Sequence, residues 1–257
     1  MKQIRLDLHL HTAASPDSRT SLRAAAAAAK QRGITALAVC DHNRCAAQSL
    51  FDNPITDGVL FLPGVEYSTE YGHLLGLCLQ TPCSADGEDS GRVRFADAAA
   101  AIHACGGLCV LAHPFELTQR SVAEIEQTLT TIAPQLDGIE AFNAHATKKR
   151  SNANLLAKQA AERLALLQTA GSDAHTPGEI GGAYLTLAVR ECSVDAVREA
   201  LLTQPPLAFF CGRCRHMSLA KSRFIYLRST RARPAAYCKW MAFCGVCILR
   251  TVKGWFL

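Results

Sequence analysis

The stretch IRLDLHLH at residues 4–11 decides the fold class, because its side chains alternate strictly between apolar and polar. Four aliphatic residues fall on one face of an extended chain, and Asp7, His9 and His11 fall on the other. A period of two is typical of a β-strand that packs one face against a core. We therefore expect a strand that carries a row of ionisable side chains towards its carboxyl end.

Apolar segments of strand length alternate with helical windows along the chain after this first strand. The predicted strands are 34–40, 59–65, 73–79, 108–112, 138–142, 166–170 and 184–189. The predicted helices are 21–32, 93–104, 121–132, 151–164 and 193–202, the first ending at Gly33 and the last beginning at Ser193 as its N-cap. This alternation indicates an α/β fold with a mainly parallel sheet, either open or closed into a barrel.

Polar residues recur at the point where each predicted strand ends. They are His9 and His11, Asp41-His42-Asn43, Glu66, His113, Asn143 and Ser172-Asp173-Ala174-His175. In a parallel barrel the carboxyl ends of all strands lie on one face, so these side chains should converge there. A lone histidine at a strand end is usually structural, but a whole set in this arrangement predicts a metal site.

The residue types in this set suit divalent metal ions. His9 and His11 are two residues apart on a strand and can chelate one ion, and imidazole with carboxylate suits Zn, Mn or Fe. A carboxylate such as Glu66 can bridge two ions. Two ions close together generate a hydroxide at neutral pH and hold both the attacking and the leaving oxygen of a phosphoryl group.

The same motifs resemble the PHP family, named for polymerase and histidinol phosphatase domains. The matching stretches are DLHLHT (7–12), Asp17, CDHN (40–43), PGVE (63–66), LAHPF (111–115), IEAFN (139–143) and GSDAH (171–175), in family order within residues 4–190. The resemblance implies a distorted (β/α)7 TIM-like barrel over residues 1–210. It also implies a phosphoesterase centre with two or three divalent ions, either manganese, zinc or iron.

The resemblance also implies a ligand set. The ligands of the first metal would be His9, His11, Asp173 and the bridging Glu66, and those of a second would be Asp17, His42 and His175. A third metal would take Glu66, His113 and one further histidine. We favour His73, which begins a strand, and His145 remains the alternative. Glu66, Asp173 and His175 are the expected catalytic residues.

The expected reaction is hydrolysis of small phosphomonoesters, or of nucleotide or oligonucleotide phosphates, by a hydroxide that bridges two metals. Asp173 or a nearby histidine would handle a proton. The candidate substrate-binding residues are Arg120, Asn143, Lys148 and Arg150, with Lys149 beside them. Ordinary charge in a loop or at a helix start is the favoured alternative interpretation of these cations. Asn143 could either orient substrate or support the metal ligands.

The C-terminal segment differs in charge from the rest of the chain. The net charge is +5, yet residues 200–257 contain ten Lys and Arg residues and no acidic residue. We expect residues 211–257 to form a basic extension of uncertain fold, with contact to nucleic acid or an anionic surface through 213–253. The pairs Cys211/Cys214 and Cys244/Cys247 leave a four-thiolate zinc site as a less favoured alternative.

Composition excludes several classes of protein. Hydrophobic residues make up 49% and charged residues 19% of the chain, which is incompatible with disorder throughout. No apolar run reaches the roughly 18–20 residues of a transmembrane helix, and the first residues lack a signal-peptide pattern, so we expect a cytoplasmic protein. Two functional alternatives remain, a non-catalytic metal-binding PHP module that acts through its basic tail and a hydrolase of C–N bonds. The filled ligand positions favour a phosphoesterase.

Overall fold

The computed structural model describes residues 1–85, 91–116, 119–146, 150–212, 216–230 and 232–253. The strands are β1 (Lys2–Leu10), β2 (Ala36–Val39), β3 (Ile55–Thr56), β4 (Val59–Pro63), β5 (Val65–Thr69), β6 (Gly72–Leu77), β7 (Leu108–Leu111), β8 (Gly138–Asn143), β9 (Leu167–Gly171), β10 (Ala183–Val189) and β11 (Ala208–Cys211). The helices are α1 (Leu22–Gln31), α2 (Gln48–Asp52), α3 (Phe95–Ala104), α4 (Val122–Ile132), α5 (Ala153–Arg163), α6 (Val194–Thr203), α7 (His216–Ser229) and α8 (Pro234–Lys253).

The strands form two mixed sheets. One has the order β11-β10-β1-β2-β4-β3, and the other has the order β5-β6-β7-β8-β9. β1, β2 and β4 run parallel, as do β7, β8 and β9, whereas β6 and β10 are antiparallel to their neighbours. The α/β class is confirmed. The expectation of a mainly parallel sheet is wrong. Short turns fold β4 back on β3 and β6 back on β5, and β10 runs antiparallel to both β1 and β11.

The two sheets approach each other at the carboxyl ends of their parallel strands. Isolated bridges join Leu10 to Ala174 and His42 to Glu66. Over the residues that the structure describes, the ladders do not continue from one sheet to the other, so a closed (β/α)7 barrel is not observed. The physical reason is that β10 occupies the edge of β1 from Lys2 to Leu6, which leaves β9 only the last residues of β1.

Both faces of β1 are buried, which differs from a strand with one solvated face. Leu6, Leu8 and Leu10 are fully buried in apolar clusters, and Asp7, His9 and His11 are fully buried on the other face. Helices α3, α4 and α5 contribute to a separate apolar cluster with β5, β7 and β8. The row of ionisable side chains therefore lies inside the molecule, where each member needs a polar partner.

Local signals explain where the covering helices begin. Ser21 caps α1 by accepting a hydrogen bond from the backbone amide of Ala24. Ser121 and Glu124 form a reciprocal capping box at the start of α4. Ser193 caps α6 as expected. These caps fix the connections that carry the chain from the strand ends back to the start of the next strand.

The basic extension forms two helices, α7 and α8, which pack against each other. The rings of Phe224 and Trp240 lie 4.8 Å apart between them. Cys214 lies outside the described residues, and the groups of described residues that could hold a metal contain no cysteine. None of the helices in the described part of the chain is both long enough and apolar enough to cross a membrane.

Candidate metal centre

Strand direction brings the predicted ligands to one place. His9 lies at the end of β1, His42 follows β2, and Glu66 lies in β5. His73 is the exception in position, because it lies at the start of its strand. β6 runs antiparallel to β5 and pairs His73 with Ser68, so the start of β6 lies at the same edge as the other strand ends.

The carboxylate of Glu66 is the hub of this cluster. Its Oε1 lies 2.9 Å from His73 Nδ1, 3.4 Å from His9 Nε2 and 3.5 Å from His113 Nε2. Its Oε2 lies 2.8 Å from His42 Nδ1 and 3.4 Å from His11 Nε2. Glu66 is fully buried, and no described residue gives either oxygen a well-aligned hydrogen bond.

Two further carboxylates complete the cluster. Asp173 Oδ1 lies 3.2 Å from His11 Nε2 and 3.6 Å from His9 Nε2. Asp17 Oδ2 lies 3.1 Å from His175 Nε2 and 3.4 Å from His42 Nε2. The structure therefore brings together all nine side chains predicted as metal ligands.

The chemistry of this donor set fits divalent metal ions. Five overlapping groups place one ligand atom per residue within 4.8 Å of one another. They are His9/His11/Glu66, His9/His113/Asp173, His11/His42/His175, His42/Glu66/His73 and His145/Asp173/His175. A buried carboxylate without an aligned donor, surrounded by imidazole nitrogens, is suited to a cation at their centre.

The pKa values of ionisable groups inside the cluster are shifted far from their usual values. Burial opposes ionisation of Glu66, but His73 and His42 hold the pKa of this carboxyl well below its usual value. Burial likewise opposes protonation of His9, yet Glu140 and Asp173 raise the pKa of this imidazole well above its usual value. Glu66 and the imidazole of His9 therefore each lie in surroundings that favour their charged forms.

The pKa values of the histidines in the cluster differ in the direction of their shifts. Burial, together with His175 and His42, lowers the pKa of His11 to about 3. Burial is outweighed by Glu66 at His113 and by Asp17 at His175, and both imidazoles have their pKa raised to about 9. Metal ions compete with these protons for the same nitrogen atoms.

Both candidate histidines for the third metal reach the cluster. His73 shares Glu66 with His113, and the centroids of the two imidazole rings lie 5.3 Å apart. His145 lies on the other side, with Nδ1 at 3.8 Å from Asp173 and Nε2 at 3.2 Å from Glu179. The position of His73 beside Glu66 fits the sequence-based preference, which stays a prediction.

Sequence reasoning placed Asp41 among the polar residues at strand ends, but it did not assign Asp41 or Glu140 a role in supporting the ligands. Glu140 Oε1 lies 3.0 Å from His9 Nδ1, and Oε2 accepts hydrogen bonds from the His113 backbone amide and the Asn143 side chain. Asp41 accepts hydrogen bonds from Thr12 and Ser15, and Ser15 Oγ in turn contacts His11. An acidic residue inside an apolar strand, such as Glu140, is the signal that could have found them.

Asp7 and Glu179 hold the GSDAH loop in a similar way. Asp7 accepts hydrogen bonds from the backbone and hydroxyl of Ser172 and from the Gly181 amide, and burial raises its pKa to about 6. Glu179 Oε2 accepts from the backbone amides of His175 and Thr176. The loop that carries Asp173 and His175 is therefore fixed from both sides.

The backbone is strained or crowded where it presents ligands. His113 and Asp173 have positive φ values of 28° and 53°, a conformation that non-glycine residues seldom adopt. Gly171 is the last residue of β9 and the first of the GSDAH motif, and a Cβ atom there would lie 2.3 Å from the Cβ of His9. Only glycine permits β9 to approach β1 this closely.

The predicted substrate-binding residues lie in different environments. Asn143 is fully buried, and its amide bonds to Glu140 and to the backbone amides of His145 and Ala146, which favours a supporting role over contact with substrate. Arg120 donates to the Glu70 carbonyl, and Arg150 donates to the Arg120 carbonyl. Lys148 and Lys149 lie outside the described residues.

A cavity of about 250 Å³ lies beside the cluster. His145, Glu179 and Ser172 line it on the side of the GSDAH loop, and Arg32 and Phe210 line it elsewhere. Sequence reasoning did not identify Arg32 or Phe210, because they lie far from the motifs along the chain. The Arg32 guanidinium donates to the carbonyl oxygens of Pro177 and Gly178, so it also supports the loop.

Comparison with protein-family models agrees with the geometry of this site. A model described as the PHP domain matches residues 7–176, which is well over half of the chain. This chain belongs to the PHP family. A second model, described as PHP-associated, matches residues 151–204. The PHP match spans every motif from DLHLHT to GSDAH, so the family resemblance is confirmed.

Other members and structures resemble this PHP protein at low identity. A protein of Shewanella oneidensis named probable phosphatase is 27% identical over 229 residues, covering 80% of this chain and 90% of its own. The structure of PsfC from Pseudomonas syringae has a TM-score of 0.58 at 21% identity, covering 90% of this chain and 97% of its own. A lesion-specific endonuclease from Pyrococcus furiosus has a TM-score of 0.60 at 14% identity, covering 84% and 60%. At these identities the two structures support the fold alone.

Proposed function

We propose that this PHP protein is a metal-dependent phosphoesterase that hydrolyses small phosphomonoesters or nucleotide and oligonucleotide phosphates. The observation that carries the proposal is Glu66, a buried carboxylate with five imidazole nitrogens within 3.5 Å and no aligned hydrogen bond from a described residue. This donor arrangement supports a site that would hold more than one cation.

The nine predicted ligands would hold two or three divalent ions, with Glu66 shared between neighbouring sites. When bound, such ions supply Lewis-acid activation of the phosphoryl group and a nucleophile at neutral pH. The protein's own residues hold these ligands in place. Glu140 orients His9 through its Nδ1, and Asp7 and Glu179 fix the loop that carries Asp173 and His175.

The cavity beside His145 suits the remainder of the substrate. It lies next to the GSDAH loop and combines a cation, Arg32, with the ring of Phe210 and the carboxylate of Glu179. A cation next to an aromatic surface is suited to a phosphorylated compound with a polar organic group. The Shewanella relative named probable phosphatase supports the phosphomonoester class of substrate.

A panel of substrates tests this function. Purified protein would be supplied with Mn²⁺, Zn²⁺ or Fe²⁺ and assayed for phosphate release from phosphomonoesters, nucleoside 3′,5′-bisphosphates and short DNA or RNA ends. We expect release from one of these classes above that of the Asp173→Asn variant. Binding of metal with no turnover of any class would instead support the non-catalytic module, the alternative in which the basic tail recruits a partner.

A further inference from the structure

The C-terminal hairpin, formed by α7 and α8 (residues 216–253), has a surface that the catalytic proposal does not use. The side chains of Lys221, Arg223, Arg228 and Lys239 are exposed on it. No acidic residue occurs after Glu199, so nothing in this part of the sequence neutralises that charge. The hairpin is therefore suited to an anionic partner.

Three aromatic side chains of the hairpin are engaged inside it, whereas Tyr226 on α7 is 45% exposed. The Phe224 ring lies 4.8 Å from that of Trp240 and 6.4 Å from that of Tyr237. The indole Nε1 of Trp240 donates a hydrogen bond to the carbonyl oxygen of Ala220 at 2.8 Å. These rings pack the two helices together, so they are not presented as a platform on which nucleic-acid bases could stack.

The outer face of α8 is apolar. Met241, Ile248 and Leu249 are 58%, 50% and 65% exposed, and they share one side of the helix with Gly245 by their spacing. Val246 extends this face and is 45% exposed. The opposite side of α8, which includes Trp240 and Cys247, packs towards α7. A helix that is apolar on both sides normally has both sides covered.

We propose that the C-terminal hairpin docks on an anionic lipid surface, with the outer face of α8 lying in the interface between headgroups and acyl chains. An anionic bilayer supplies both things that the hairpin lacks, negative charge and apolar cover. A nucleic acid would neutralise the charge but leave Met241, Ile248 and Leu249 in water. A second copy of the chain would cover them but would bring a second cluster of positive charge against the first.

The sequence around α8 fits this orientation. Arg233 and Lys239 precede the apolar stretch, and Arg250 and Lys253 follow it. Long basic side chains at the ends of an apolar segment can reach lipid phosphates while their methylene groups stay in the apolar layer. One side of α8 packs along α7 and the other side is exposed and apolar, so α8 would lie in the plane of the surface.

Vesicle co-sedimentation of the whole 257-residue chain tests this proposal independently of any enzymatic activity. One set of vesicles contains phosphatidylcholine alone, and the other contains phosphatidylcholine and phosphatidylglycerol in a ratio of about three to one. We expect binding to the anionic vesicles, at least about tenfold weaker binding to the neutral ones, and loss of binding at high salt.

Variants separate the contribution of the apolar side chains to vesicle binding from that of the basic side chains. The triple variant M241S/I248S/L249S should lose vesicle binding by about tenfold or more, whereas Leu155→Ser, an equally exposed leucine on α5, should retain it. Lys239→Glu with Arg233→Glu should weaken binding to anionic vesicles only. Far-UV circular dichroism should show that each variant keeps its helix content.

Other results would overturn the proposal. Binding to a short DNA or RNA that the triple serine variant retains, with no binding to vesicles, would assign the basic surface to nucleic acid. A dimer in light scattering that the triple variant abolishes, again without vesicle binding, would assign the apolar face to a second copy of the chain. Equal binding of wild type and triple variant to anionic vesicles would also contradict the role of α8.

Discussion

Nδ1 of His73 lies 2.9 Å from Oε1 of Glu66, because the hairpin of β5 and β6 makes the two residues diagonal neighbours on one face of the sheet. His145, the competing candidate, instead contacts Asp173 and Glu179. This relationship supports the prediction that His73, rather than His145, shares a metal with Glu66. His73, Glu66 and His42 form one of the groups that could hold an ion.

We predict that His73→Ala lowers the metal content of the reconstituted protein by about one ion, because the third site loses one of its three protein ligands. His145→Ala, the matched control, should leave the metal content unchanged. Inductively coupled plasma mass spectrometry after desalting measures both. The reverse pattern would assign the third metal to His145.

Glu66→Gln should abolish stabilisation by metal. Ions that bind only the native state should stabilise the wild type by about 2.7 kcal/mol at a free concentration about 100 times the Kd, and the amide cannot bridge two ions as the carboxylate does. Thermal unfolding with and without Mn²⁺ measures the difference. Glu162→Gln, an exposed residue on α5, is the control and should respond like wild type. An undiminished metal response in Glu66→Gln would remove Glu66 from the ligand set.

Glu140→Gln should weaken metal binding by about 10- to 100-fold without removing a ligand, because Glu140 orients His9 through its Nδ1 at 3.0 Å. Titration of the metal-free protein with Zn²⁺ in competition with a chromogenic chelator gives the affinity. Glu199→Gln, at an exposed glutamate on α6, should have no effect. If both variants bind Zn²⁺ as wild type does, Glu140 has no positioning role.

Gly171→Ala should destabilise the protein by at least about 1–3 kcal/mol, because the added Cβ would lie 2.3 Å from the Cβ of His9 and 2.8 Å from its backbone nitrogen. Gly245→Ala has no neighbouring atom within 4 Å and should be neutral or slightly stabilising. Urea unfolding of the metal-free proteins compares the two. Equal stability of Gly171→Ala and wild type would mean that β9 and β1 can separate at this point.

Much of the fold was predictable because its signals are local. Alternation at residues 4–11 corresponds to β1, and Ser121 and Ser193 cap the predicted helices at 121–132 and 193–202. The direction of β6 was not predictable, since it depends on the tight turn between β5 and β6 and on pairing with β7. Closure into a barrel was not predictable either. It depends on which edge of β1 pairs with β10, and these two strands are far apart in the sequence.

The candidate site was predictable where ligands lie at the end of a strand or directly after it, as His9, His113 and Asp173 do. Asp7, Asp41 and Glu140 were harder to assign, because their roles depend on hydrogen bonds with distant segments such as Ser172 and Thr12. Arg32 and Phe210 lie beside the site only because the chain folds α1 and β11 towards the GSDAH loop. Such contacts leave no local pattern in the sequence.

The central claim is that the cluster around Glu66 and Asp173 hydrolyses phosphate esters with bound metal. The most direct measurement is the initial rate of phosphate release from the best substrate of the panel, with Mn²⁺ and after chelation, for wild type and Asp173→Asn. We expect the wild-type rate to fall by at least about 100-fold after chelation and to return when Mn²⁺ is restored. The folded Asp173→Asn variant should show no phosphate release with or without Mn²⁺. A wild-type rate that survives chelation, or an Asp173→Asn rate equal to that of wild type, would contradict the claim.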